Sequence, residues 1–455
     1  MPTRFNTPVS PRGDAPLARM LRHTPPYVAL ILLAVVTGLV TGTAAFILKT
    51  TVRWVSHPIA SHLAAGHANW LLLVAPLIGI ILAGLYQRHI LHKFIWHGTD
   101  RLNRAIADRR YYLAPDLIYS PIIASTLTLG FGGSAGSEGP IAYTGAAIGS
   151  NIARFCGVST ETVRIMLACG ASAGIAGIFK APVGGVLFSL EVLSIALTPH
   201  AIIALFASSV TAALTAFLLD GCTTDLVFRN VSALSWQWLP WTPLLGVFCG
   251  LYSFYYASIM SRMKRWFGSF SDPMVRNLVS GAILSALVFL FPPLFGEGYD
   301  FMTRILAGEV SYFSAFSLFA ADGSNLLTTI LLALAIIAVK AFAAASTNSG
   351  GGVAGDFAPT LMAGCVAGFF LASLLNLCGL HLPVADFAFM GMAGVMAGAV
   401  RAPFMAIFIT VEMTQAYSLL LPVAVVAAIS YLIVIFLRHI FRLPSSSSSS
   451  LPATF

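Results

Sequence analysis

The feature that most constrains this chain is its series of more than ten long apolar segments, many broken by glycine and proline. A helix needs roughly 20 apolar residues to cross a bilayer, and lipid offers the backbone no hydrogen-bond partner. Only 9% of the residues are charged, against about 25% in a soluble domain. The chain therefore reads as all-α, a polytopic integral membrane protein with many broken helices. Its first 26 residues are polar and basic and run directly into an apolar span, so no cleavable signal peptide is expected. A sequence pI of about 9.3 could suggest nucleic acid. The basic residues are spread over short loops, however, where they act as topology determinants. The six cysteines form no C-x-x-C pair, and neither a disulfide framework nor a metal cluster nor a cofactor is indicated.

Loop charges orient the spans. Residues 1–26 carry Arg4, Arg12, Arg19 and Arg22 and read as a cytoplasmic tail. Spans over 27–50 and 68–91 lead to a loop holding Arg88, Lys93, Arg101, Arg104, Arg109 and Arg110 against Asp100 and Asp108. That excess of positive charge places the loop inside. The 220–240 loop, with Asp220, Asp225 and Arg229, reads as external. A span over 241–260 returns to Arg262, Lys264, Arg265 and Arg276, inside again. A further span, 277–295, emerges into the acidic stretch 296–325, with Glu297, Asp300, Glu309 and Asp322 against Arg304. Arg438 and Arg442 place the C-terminal end inside, before the low-complexity run Ser445–Ser450.

The chain also repeats itself. KAPVGGVLFSLEV (Lys180–Val192) matches RAPFMAIFITVEM (Arg401–Met413), and GGSAGSEGP (Gly132–Pro140) aligns with GGVAGDFAP (Gly351–Pro359). Pro140 and Pro359 are 219 residues apart, Pro182 and Pro403 are 221. Two independent motif pairs at nearly one offset mark a tandem duplication. The first span of half one runs outward and that of half two inward, so the repeats are inverted. The expected organisation is an N-terminal tail (1–26), a first half (27–220), an external connector (221–240), an inverted second half (241–440) and a Ser-rich tail (441–455). Transporters built this way bind substrate near the midplane, where broken helices point their N-termini at it.

GGSAGSEGP is such a break. Glycines let backbone amides turn toward a ligand, and proline opens a helix without wasting a donor. A helix N-terminus favours anions, and Glu138 stands there as a built-in competitor. A carboxylate deep in an apolar chain is functional by default, against the blander reading of a side chain that complements a helix dipole. Its proposed work is to leave the site when protonated and fill it when charged. Glu191 with Glu412, and Lys180 with Arg401, are repeat pairs, which suggests structural roles at helix ends. His89, His92 and His97 have metal-like spacing but no Cys or acidic partners, so an interfacial or pore-lining role is favoured.

These motifs resemble the chloride channel (CLC) family. GSEGP (Gly136–Pro140) is similar to its G-[KR]-E-G-P signature and GDFAP (Gly355–Pro359) to its G-x-F-x-P signature. VKAFAAASTNSGGGVAG, FGEGY (295–299) and APVGGVLFSLE are also similar to family stretches, over roughly residues 27 to 440. The resemblance implies a homodimer in membrane lipid, each subunit with its own pathway for chloride. It implies that Glu138 gates, with outer anion contacts from the amides of Gly136, Ser137 and Gly139, and further amide donors at Asp356, Phe357 and Ala358. There are departures. Ser137 replaces the usual Lys or Arg, and Asp356 an apolar residue. The inner serine signature should fall at 96–100, which reads Trp-His-Gly-Thr-Asp, leaving His97 or Thr99 to stand in. The C-terminal gate tyrosine should fall near Leu443, and no Tyr follows Tyr431. Glu191 matches the first of two consecutive glutamates in exchangers, and the second, the proton acceptor, is Val192 here. Glu191 thus stays a candidate for proton transfer.

A proton-coupled chloride exchanger gated by Glu138 is therefore expected, with a passive glutamate-gated channel as the alternative and a fluoride or nitrate transporter as a distant one. An intramembrane enzyme would need a Ser/His, paired-Asp or H-E-x-x-H constellation, and none is present. A cation-coupled transporter of organic solutes would need more intramembrane polar groups.

Overall fold

The computed structural model describes residues 24–60, 70–95, 98–194, 198–224, 226, 228, 237–309 and 326–441. The described chain is helical. Nine of its helices are long and apolar enough to cross a membrane.

The first half contains α1 (Pro26–Ala60), α2 (Leu71–Leu85, continued by a π-turn over Tyr86–Ile90) and α3 (Gly98–Ala107). It goes on with α4 (Ser120–Gly130), α5 (Glu138–Phe155), α6 (Thr160–Phe179), α7 (Pro182–Leu187, extended by a π-turn over Phe188–Val192) and α8 (Pro199–Leu219). The second half contains α9 (Thr242–Gly268), α10 (Pro273–Leu290), α11 (Tyr299–Leu306), α12 (Leu326–Ser349) and α13 (Phe357–Leu377). It closes with α14 (Val384–Val400), α15 (Pro403–Thr414) and α16 (Leu420–Ile440). Hydropathy ends the first span near residue 50, yet α1 carries Lys49 and Arg53 onward to Ala60. Backbone hydrogen bonds do not require apolar side chains, so the helix outruns its apolar stretch.

The duplication is visible in the packing. α1 packs on α4, α6 and α8 as α9 packs on α12, α14 and α16, and α5 packs on α6 as α13 does on α14. Across the pseudo-two-fold axis, α2 meets α10 and α7 meets α15. The α5–α6 and α13–α14 crossings are close because small residues face each other. A Cβ on Gly145 or Gly170 would run into the other's carbonyl, and the same holds for Gly364 and Gly391. Tight backbone approach at Gly/Ala surfaces is how helices associate where lipid removes the hydrophobic drive. α6 and α13 are buried for most of their length, whereas α8 and α16 keep exposed apolar faces (Ile203, Leu214, Leu432, Phe436).

The short helices follow from local sequence. Lys180 and Arg401 take left-handed backbone (φ 55° and 63°) and end α6 and α14. Pro182 and Pro403 then open α7 and α15 at the position where a missing N–H costs nothing. α7 with its π-turn, α14 and α15 are too short to span a bilayer. They build the interior around the axis.

Candidate functional site

The broken stretches GGSAGSEGP and GGVAGDFAP meet at the axis. Gly136 N donates to Gly355 O at 3.0 Å and Gly355 N to Gly136 O at 2.6 Å, a two-bond antiparallel bridge. Flanking it, Ser134 N donates to Thr347 Oγ1 and Val353 N to Thr128 Oγ1, both at 3.0 Å. The four partners are related by the same 219-residue offset as the prolines. Beyond the bridge, α5 and α13 begin with Glu138-Gly139-Pro140 and Phe357-Ala358-Pro359. Each proline sits third in its helix, still in the first turn, where its missing N–H would have had no intrahelical partner.

Symmetry breaks where the chemistry lies. Glu138 has Phe357 as its counterpart, and Ser137 has Asp356. The Glu138 side chain is buried and curls back over Gly136, where a Cβ would collide with its carboxylate. Its Oε1 accepts from Ala358 N at 2.8 Å, and Oε2 is buried with no hydrogen-bond partner. The carboxylate of one repeat thus caps the helix N-terminus of the other, the place where amides and dipole favour an anion. Phe357 packs edge-on against Phe188 of the first repeat, ring centroids 5.9 Å apart at 68°.

Charged groups surround the gate. Ser137 donates through both N (2.9 Å) and Oγ (2.6 Å) to Glu297 Oε1. Asp356 accepts from Asn348 Nδ2. Lys340, fully buried on α12, donates from Nζ to Ser134 Oγ at 2.9 Å, beneath the Gly132–Pro140 loop. Glu297, Asp356 and Lys340 all act electrostatically on Glu138 or feel it, and so does the buried Tyr256 of α9.

Three of the six amides assigned by resemblance are already engaged in this state. Gly136 N is held by Gly355, Ser137 N by Glu297 and Ala358 N by Glu138. Gly139 lies against Gly355. Of the two inner contacts the resemblance suggests, His97 is outside the described residues, while Thr99 lies in the first turn of α3, half-buried, and α3 packs on α5. The position expected for the closing tyrosine also falls outside the described residues.

Glu191 and Glu412 sit away from the gate in a reciprocal arrangement. Glu191 accepts from Phe404 N (3.2 Å) and Met405 N (2.7 Å) at the start of α15. Glu412 accepts from Val183 N (3.1 Å) and Gly184 N (2.9 Å) at the start of α7. Each carboxylate fills a helix N-terminus of the opposite repeat. At the C-terminal end of α6, Lys180 pairs with Asp220 at 2.5 Å, which Arg53 also reaches at 3.1 Å. Burial would push the Asp220 carboxyl up from its ordinary 3.8. The Lys180 hydrogen bond and charge, with Arg53 and Lys49, outweigh that and hold it lower.

Glu297, the Ser134–Lys340 contact and Tyr256 are what sequence reasoning missed as parts of this site. Glu297 lay within a family-like stretch, FGEGY, but its pairing with Ser137 spans 160 residues and obeys no repeat offset.

Comparison with known proteins agrees with this architecture. Residues 79–434 match the family described as voltage gated chloride channel. A ClcB-like chloride channel protein of Ralstonia nicotianae is 28% identical over 375 residues, covering 80% of this chain and 82% of the relative. The H(+)/Cl(-) exchange transporter ClcA of Klebsiella pneumoniae is 26% identical over 433 residues, covering 91% and 87%. Among solved structures, a slow cyanobacterial Cl-/H+ antiporter superposes with a TM-score of 0.73 at 23% identity, over 90% of this chain and 94% of its own. A CLC-type fluoride/proton antiporter gives 0.69 at 24% identity, over 89% and 95%. With its inverted repeats, its facing broken helices and this match over most of its length, the chain belongs to the voltage-gated chloride channel family.

Proposed function

We propose that the protein exchanges chloride for protons across a membrane, with Glu138 as the gate both ions use. The observation that carries this is the hydrogen bond from Ala358 N to Glu138 Oε1, 2.8 Å. A charged carboxylate there competes with an anion for the same amide, and a neutral one competes less well. Gating and proton uptake then become one event. Withdrawal of the carboxylate would free Ala358 N for the anion, joined by the amides of Gly139, Asp356 and Phe357 and, toward the inner end, by Thr99 and His97, while Gly136 N stays with Gly355 and Ser137 N with Glu297. The naming of the Klebsiella relative as an exchanger supports the coupled reading.

A passive chloride channel is the second reading, favoured by Val192 where exchangers carry a glutamate and by Glu191 being committed to α15. The fluoride/proton antiporter among the similar folds keeps another small anion as a distant alternative. The working unit is read as a homodimer in a cell membrane, both termini cytoplasmic, acting as a transporter and not as an enzyme.

The test is a flux assay in liposomes. An outward chloride gradient should drive proton uptake in wild type. In Glu138→Gln, proton movement should fall to the background of empty liposomes while chloride flux persists and loses its pH dependence. Chloride flux without proton movement in wild type establishes the channel reading. Wild-type flux that ignores pH and is unchanged by the substitution removes Glu138 as the gate.

A further inference from the structure

We propose that Glu297 is a positioning residue of the outer anion site, holding the start of α5 through Ser137 and setting the pH at which Glu138 admits anions. This rests on the reading of Glu138 as the gate. The geometry is specific. One carboxylate oxygen of Glu297 takes both the backbone amide and the hydroxyl of Ser137, at 2.9 and 2.6 Å. Ser137 occupies the N-cap position of α5, directly before the gate, and its hydroxyl goes to Glu297 and not to the helix. Glu297 comes from the turn between Pro292–Leu294 and α11, half-buried, in the stretch whose charges read as external.

Two consequences follow from elementary electrostatics. The Ser137 amide is one of the few donors aimed at the outer site, and Glu297 occupies it, so this site carries a second internal competitor for a soluble anion. A like charge beside Glu138 also makes the charged form of the gate more costly, which favours its protonation at higher pH. The serine makes this possible. A long basic side chain at position 137 would neutralise a neighbouring carboxylate, whereas a short hydroxyl docks it. The other groups acting on Glu138 are Asp356 at the head of α13, Lys340 on α12 and Tyr256 on α9. Asp356 is tied to Asn348 and Lys340 to Ser134. Glu297 is the one that also holds the backbone of the gate's own helix.

The experiment measures chloride flux against pH in liposomes for wild type, Glu297→Gln, Ser137→Ala, Glu138→Gln and the Glu138→Gln/Glu297→Gln double variant, each checked for folding by a thermal melt in detergent. Glutamine keeps an acceptor for Ser137 and removes the charge. Glu297→Gln should therefore move the flux midpoint to lower pH by on the order of one unit. Ser137→Ala, which removes the shorter of the two bonds, should shift it less in the same direction. The double variant should be as flat as Glu138→Gln alone. An unshifted midpoint in a folded Glu297→Gln, with Glu138→Gln flat, overturns the role of Glu297 and leaves the gate standing. A Glu138→Gln variant as pH-sensitive as wild type instead overturns the gate reading. Residual pH dependence in Glu138→Gln that the double variant abolishes means Glu297 titrates on its own, which also overturns the proposal.

Discussion

At the scale of single residues, function sits where the two repeats stop matching. The positions flanking the axis are glycine in both halves, Gly136 and Gly355, because backbones must touch there. Two residues on, one half has Glu138 and the other Phe357, so one anion-attracting helix start carries a carboxylate and the other receives it. The two glycines should respond differently to a methyl group. At Gly136 the new Cβ meets the far end of the Glu138 side chain, which can swing away. Gly136→Ala should stay folded but dislodge the gate, raising chloride flux at neutral pH and flattening its pH profile. At Gly355 the Cβ would lie 2.7 Å from Gly139 N and 3.0 Å from Glu138 Cδ, and the backbone cannot yield. Gly355→Ala should cost about 1–3 kcal/mol, the range for overpacking, read as a lower melting temperature in detergent. If Gly136→Ala transports with the wild-type pH profile, the carboxylate is not confined as the geometry requires.

At the scale of elements, helix termini are the recurring device. Four of them meet at the axis in reciprocal pairs, and each is filled by a carboxylate or a backbone group from the other repeat. Glu412 accepts two amides at the start of α7, and Glu191 two at the start of α15. Hydrogen bonds to a charged group contribute about 1.5–3 kcal/mol. Glu412→Ala and Glu191→Ala should therefore each destabilise by roughly that much, and glutamine at either position should recover part of it. Glu191→Gln should still couple protons to chloride; loss of coupling in a stable Glu191→Gln variant would return Glu191 to the proton path. The Lys180–Asp220 pair caps another end and carries its own pH signature. Because Asp220 is held below its ordinary 3.8, its stabilisation is complete above about pH 4 and fades as pH falls through the lower folded-state value. Asp220→Asn should melt below wild type at pH 7, and the gap should narrow as the pH falls below about 4. A gap that is constant with pH would assign the loss to packing. Much of this level was legible in the sequence. The matched Lys180/Arg401 and Glu191/Glu412 pairs marked helix ends, since inverted repeats force equivalent residues to equivalent termini. What each carboxylate would cap was not legible, because that partner lies across the axis and only the fold decides which amides it reaches.

At the scale of the whole molecule, the same logic explains what sequence could and could not reveal, and it sets how the protein moves. The duplication, the inversion and the meeting of GGSAGSEGP with GGVAGDFAP follow from offsets and loop charges, which are properties of the chain. The Glu297–Ser137 contact and the Lys340–Ser134 contact break the repeat, and no periodicity announces them. Motion is constrained by the symmetric part. The repeats are joined by the Gly136–Gly355 bridge, the Thr128–Val353 and Ser134–Thr347 bonds, and the two glutamate caps. Rocking one half against the other would break these together, in an interior where unmade hydrogen bonds are expensive. A side-chain swing of Glu138 breaks one. Transport by local gating, and not by rigid-body rocking, is the expected consequence, and a cross-link between the halves tests it. A Cβ at Gly184 would lie 3.1 Å from Ile409 Cα, which puts the two Cα atoms at most about 4.6 Å apart, at the short limit of a disulfide's roughly 4.4–6.8 Å. In a background with the six native cysteines replaced, Gly184→Cys with Ile409→Cys should cross-link under mild oxidation. Chloride flux should remain within about threefold of the reduced protein, since roughly 0.7 kcal/mol separates the two rates at that ratio. If oxidation abolishes flux and reductant restores it, the halves must move against each other for ions to pass.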